Sequence, residues 1–138
     1  MHVLWAPLFF AAWTLLLVGL IAGYRAQLVL QNRIRSNAFP SGTPHGPPWY
    51  QRLNRAHANC VENLPVFATI VVIGVLLDVD QALFLALPWI IVAARVGQTF
   101  AHLASGTELA VNIRFGFFVI QILAEGWLIA LVILAQTG

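Results

Sequence analysis

The sequence predicts an all-α integral membrane four-helix bundle in one domain of 138 residues. Three observations carry that prediction. The chain is 60% apolar and only 9% charged, where a soluble domain carries about a quarter charged residues. Four continuous apolar stretches each approach the ~20 residues needed to cross a hydrocarbon core. None alternates with period two, as a lipid-facing barrel strand would, so the backbone can satisfy itself in lipid only as helix.

The helices are expected over about 3–35, 56–77, 82–104 and 109–136, with a loop over about 36–51. The first stretch, "MHVLWAPLFFAAWTLLLVGLIAGY", lacks a basic n-region and outruns a typical signal-peptide core. It reads as a spanning helix, with cleavage near the small residues before Arg25 as the alternative. The loop "SNAFPSGTPHGPPWY" holds four prolines and two glycines, which is turn chemistry. "DVDQ" at 78–81 and "SGTE" at 105–108 are tight helix-to-helix links. Ser105 or Thr107 is placed to cap the fourth helix, with Glu108 in its first turn.

All seven basic residues are arginines. Arg25, Arg33, Arg35, Arg52 and Arg55 flank the first loop, whereas the second link carries two aspartates and no base. The positive-inside rule then places loops one and three in the cytoplasm and both termini on the other side. A net charge of +2, with no basic-aromatic patch, argues against a nucleic-acid partner. The lone Cys60 excludes an internal disulfide, and its default is a small packed residue. No residues show metal-ligand spacing. Arginine without lysine, beside abundant alanine, suggests a GC-rich bacterium and hence its inner membrane.

The polar residues fall on stripes. Arg55, Asn59 and Glu62 are spaced i, i+4, i+7 on the second helix. Arg95, Gln98 and His102 are spaced i, i+3, i+7 on the third. Arg114, Gln121 and Glu125 are spaced i, i+7, i+11 on the fourth. A charge at helix centre costs about 2.5–3.5 kcal/mol on insertion scales, so charges at matching depth should face one another or a wet cleft. Arg95 and Glu62 reach similar depth and are expected to form a structural ion pair. A polar cleft at the cytoplasmic end, rich in arginine with one glutamate, suits an anion carrying an ammonium group. A lipid phosphate suits it nearly as well. His57 lies off the stripe and reads as a helix-entry residue. His2 and His45 read as solvent-side. Trp5, Trp13, Trp49, Trp89, Trp127, Tyr24 and Tyr50 are partly interfacial anchors, and Trp49 and Tyr50 are candidates to shape a lid. Gly19 and Gly23 present a small-xxx-small face for helix packing within or between subunits.

"RAHANCVENLPVF" at 55–67 resembles the signature of the MAPEG superfamily, membrane-associated proteins in eicosanoid and glutathione metabolism. "RIRSNAF" at 33–39, "ARVGQTFAHL" at 94–103 and "NIRFGFF" at 112–118 resemble the family's other segments, so the likeness spans nearly the whole chain. It implies a homotrimer of four-helix subunits that binds glutathione between neighbours near the cytoplasmic side. Arg33, Arg55, Asn59, Glu62, Gln98 and His102 correspond to glutathione contacts, and Arg114 to the catalytic arginine that stabilises the thiolate. The implied activity is a glutathione S-transferase or peroxidase acting on lipophilic electrophiles or hydroperoxides drawn from the bilayer. Eicosanoid enzymes of the family carry tyrosines where Gln98 and His102 stand, and commonly where Phe118 stands. That departure keeps a second reading open, a non-catalytic protein of the same fold that binds lipid or fatty acid. A small transporter ranks last, because most polar residues cluster at one end.

Overall fold

The computed structural model describes residues 3–137 and is all-helical. His2, expected to face solvent, lies outside the described residues. The elements are α1 (Trp5–Leu30), α2 (Pro48–Leu76), α3 (Ala82–Ala104) and α4 (Glu108–Thr137). All four are long and apolar enough to cross a membrane, as a multi-pass membrane protein requires. α2 and α3 form the middle of the bundle; α1 packs on both, and so does α4.

Two boundaries differ from expectation, each for a local reason. α1 ends at Leu30 instead of running to about 35. The amide of Asn32 donates to the Val29 carbonyl and that of Arg33 to the Leu28 carbonyl, with Asn32 at φ 54°. This is a Schellman motif, with Asn in the left-handed position that Gly usually takes. α2 stops the same way: Asp78 at φ 54° donates to Val75, and Val79 donates to Gly74. At its other end α2 begins eight residues earlier than expected. Pro48 takes the first helical position, where a missing N–H costs nothing, and Tyr50 is carried into the core at 1% exposure. The short links fall as expected. Thr107 accepts a 3.4 Å hydrogen bond from the Ala110 amide and so caps α4.

The core is built from Phe10, Leu17, Phe67, Val71, Phe84, Ile91 and Leu128, with the Phe10 and Phe67 rings 5.5 Å apart. Two glycines allow close helix approach. A methyl added at Gly74 on α2 or Gly97 on α3 would run into the rings of Phe84 and Phe117 respectively. Gly19 and Gly23, by contrast, meet nothing within 4 Å, so their small face is not used inside the protomer.

At the end where residues 31–47 connect α1 to α2, an aromatic cluster ties the elements together. Tyr24 packs on Trp49 and Tyr50, and Arg25 Nε donates to the Tyr50 hydroxyl at 2.6 Å. Tyr50 is thus held as an anchor by α1. Trp5, Trp49 and Trp127 are exposed, as interfacial anchors should be, while Trp13 turns inward and donates to Thr99 Oγ1 at 3.2 Å. Arg52 Nε reaches the Leu103 carbonyl at 3.2 Å, joining the start of α2 to the end of α3. This loop end carries most of the polar side chains.

Candidate functional site

One residue from the α2 stripe, Asn59, and one from the α4 stripe, Arg114, meet His102 on α3. Two residues from the end of α3, His102 is buried at 8% exposure. Its Nε2 lies 2.9 Å from the Asn59 amide on α2, and its Nδ1 lies 2.9 Å from Arg114 Nη1 on α4. Helical spacing accounts for the meeting: α3 and α4 run antiparallel across the three-residue link, so a residue near the end of one faces the first turns of the other.

Arg114 is half-buried and fixed at two points. Its Nε donates to the Ala110 carbonyl one turn back at 3.1 Å, and Nη1 is taken by His102. Among the described residues the second amino group, Nη2, has no hydrogen-bond partner. One turn deeper, Gln98 binds the backbone that carries this arginine, its Nε2 donating to the Arg114 carbonyl at 3.0 Å. Gln98 Oε1 accepts from Arg95 Nη1 at 2.7 Å and from Gln121 Nε2 at 3.3 Å. An arginine held by its own helix, by a histidine and by a glutamine is a preorganised cation. Its free amino group is available to an anion at a partly dry position, where such a charge acts most strongly.

The remaining expected contacts make no hydrogen bond to this cluster among the described residues, although Arg55 lies within electrostatic reach of His102. Arg55 and Glu62 are exposed on α2, and Arg33 is exposed beyond the end of α1. Arg55 lines a cavity of about 570 Å³ with Arg25, Asn54 and His57. Arg33 lines another of about 470 Å³ with Tyr24, His45 and Tyr50. The two share Phe39, Pro40 and His45 as a common wall. His57, read as a helix-entry residue, and His45, read as solvent-side, therefore both help to line cavities. Arg25 was legible only as a basic flank; its place became visible once Tyr50 and Phe39 were seen to hold it.

Arg95 has more neighbours than the expected acid. It is 2% exposed, donates to Gln98 and lies 5.4 Å from the centre of the Phe10 ring. Those contacts hold it in the protomer, and both Glu125 and the exposed Glu62 lie within electrostatic reach of its charge. Helical spacing shows which residues share a face but not which faces meet, and Glu125 on α4 is the acid buried nearby. Cys60 is fully buried, in keeping with a packed small residue.

A family model described as the MAPEG family matches residues 3–134. Among curated proteins, none matches the chain.

Proposed function

The chain belongs to the MAPEG family, and from that premise we propose that it binds glutathione and uses it as a glutathione S-transferase or peroxidase. The family includes glutathione-dependent transferases and peroxidases and related membrane proteins. The observation that carries the reading is Arg114, a guanidinium locked at Nε and Nη1 with Nη2 free.

Glutathione offers two carboxylates, an ammonium and a thiol. In this proposal Arg33 and Arg55 take carboxylates, Glu62 takes the ammonium, and Asn59, Gln98 and His102 shape the polar floor. A free thiol has a pKa of about 8.5 and is mostly protonated near neutrality. Lowering it by about two units takes about 2.7 kcal/mol of preferential thiolate binding. A fixed guanidinium in a partly dry site supplies a stabilisation of that order. The thiolate then attacks a lipophilic electrophile: a carbon–sulfur bond forms, and the leaving group departs with the bonding electron pair. With a hydroperoxide, the peroxide is reduced to alcohol and water while two glutathiones are oxidised to the disulfide.

The dispersal of the contacts favours assembly. Arg33, Arg55 and Glu62 are exposed, while Arg114 sits in a cluster on α3 and α4. A homotrimer, in which neighbouring copies face one another, would let one protomer's exposed residues complete another's cluster. The exposed apolar side chains of all four helices suit lipid and neighbouring copies, and lipophilic substrates reach them through the bilayer. Orientation by arginine count puts this end in the cytoplasm, in a bacterial case at the inner membrane.

Thiolate absorbance tests the proposal. Glutathione added to purified protein should give the ultraviolet thiolate band at neutral pH, and Arg114→Ala should abolish it while the protein stays folded. Binding that persists in wild type with no thiolate band removes the catalytic role and leaves the reading of a lipid- or fatty-acid-binding member.

A further inference from the structure

Inside the bundle, four buried side-chain atoms lack a hydrogen-bond partner: Arg95 Nε, Gln121 Oε1, Glu125 Oε1 and Asn63 Oδ1. They belong to one neighbourhood. Arg95 and Gln121 donate to the same Gln98 oxygen. Glu125 follows Gln121 by one turn on the same face of α4. Asn63 on α2 lies within hydrogen-bonding reach of the Glu125 carboxylate, and Arg95 within its electrostatic reach. Arg95 is nine residues from the end of α3 at Ala104, about 14 Å at 1.5 Å per residue. That is about half the thickness of a hydrocarbon core.

Unsatisfied polar groups at that depth find no relief in lipid. One of the four is a donor and three are acceptors, so a guest must accept from Arg95 Nε and donate to the acceptors, two of them for a single water. A fully deprotonated anion has no protons to give. A metal cation would leave Arg95 Nε unsatisfied and add positive charge beside a guanidinium. Water both accepts and donates, and buried water occurs in proteins where two to four polar partners converge. Charge leads to the same place. A protonated Glu125 would leave Arg95 without a buried counter-charge, with only the exposed Glu62 in reach, whereas an ionised one neutralises it.

We infer that Asn63, Arg95, Gln121 and Glu125 form an internal water site at mid-bilayer, and that the bound water links Arg95 to an ionised Glu125. The site joins α2, α3 and α4 through polar contacts. It also backs Gln98, which in turn holds the Arg114 carbonyl. It stands on burial and hydrogen-bond geometry and does not depend on glutathione.

The test is infrared difference spectroscopy on the full chain in lipid nanodiscs, wild type against the near-isosteric Glu125→Gln. The expected difference contains a carboxylate stretch present only in wild type. It also contains an O–D band that moves when the oxygen of heavy water is exchanged for ¹⁸O. A protonated-acid C=O stretch in wild type, or no ¹⁸O-sensitive band, overturns the inference. Gln121→Met should keep the carboxylate band and alter the water band; an unaltered water band also overturns it. Thermal unfolding provides an independent reading. Arg95→Met alone should lower the midpoint, and Arg95→Met with Glu125→Gln should recover part of the loss. Simple addition of the two losses would contradict a linked pair.

Discussion

Arg114 Nη1 lies 2.9 Å from His102 Nδ1, and this single contact sets the hydrogen-bond polarity of the whole cluster. A guanidinium only donates, so Nδ1 must accept and the ring proton must sit on Nε2. Nε2–H then donates to Asn59, 2.9 Å away. The structure places Asn59 Nδ2 at that distance, and a half-turn of the side-chain amide, whose two ends interchange, brings its oxygen there to accept. Nitrogen-15 NMR of labelled histidine checks this: His102 should show a protonated Nε2 and a bare Nδ1. The opposite tautomer would mean that Arg114 is not held as described.

Arg114→Ala should lower turnover with a general aromatic electrophile about 100-fold. That is the factor equivalent to about 2.7 kcal/mol of lost thiolate stabilisation. Arg114→Lys should recover only part, because a point charge cannot keep the His102 and Ala110 contacts together. Steady-state kinetics on detergent-purified protein decides it, with unchanged circular dichroism as the folding control.

Gln98→Leu should destabilise the protein by about 1–3 kcal/mol, the usual cost of stranding buried partners. Arg95 Nη1 and the Arg114 carbonyl would both lose the bonds they make to Gln98. A lower unfolding midpoint in detergent checks this; an unchanged midpoint would mean that Gln98 does not organise the seam.

Gly97→Ala should cost about 1–3 kcal/mol by overpacking, because the new carbon would come within 2.7 Å of the Phe117 ring. Gly19→Ala, with nothing within 4 Å, should leave the protomer as stable or slightly more so. Thermal unfolding of the two variants side by side measures the difference.

Orientation has its own check. Cysteines placed singly at Ser41 and Asp80, with Cys60 silent in the core, should react with an impermeant maleimide from opposite sides. Ser41→Cys should label from the cytoplasmic face and Asp80→Cys from the other. Labelling from the reverse faces would turn the proposed topology over.

Much of the fold was legible because lipid leaves the backbone so few choices. Continuous apolarity located four helices, and the α3 and α4 boundaries fell within a residue of expectation. The start of α2 was misjudged because "PWYQRLN" is polar enough to resemble loop, although Pro48 opens a helix well and Tyr50 is buried. The end of α1 was misjudged because Asn32, not glycine or proline, makes the turn. At the candidate site, the i, i+3, i+7 spacing put Gln98 and His102 on one face, and Arg114 came to meet it. The surroundings of Arg95 were legible only in part: Glu62 lies within electrostatic reach of it, as its depth suggested, but so does Glu125. Glu62 and Glu125 reach comparable depth, and only the packing of α4 on α3 shows which of them is buried beside it.

Glutathione binding, measured by calorimetry on the detergent-purified protein with Glu62→Ala and Arg114→Ala alongside, tests the central claim most directly. Glu62 is exposed, so its loss should weaken binding about tenfold, about 1.4 kcal/mol, without unfolding the chain. Saturable binding in wild type that weakens in both variants is the predicted result. No heat of binding at millimolar glutathione, from protein that remains folded, would contradict it.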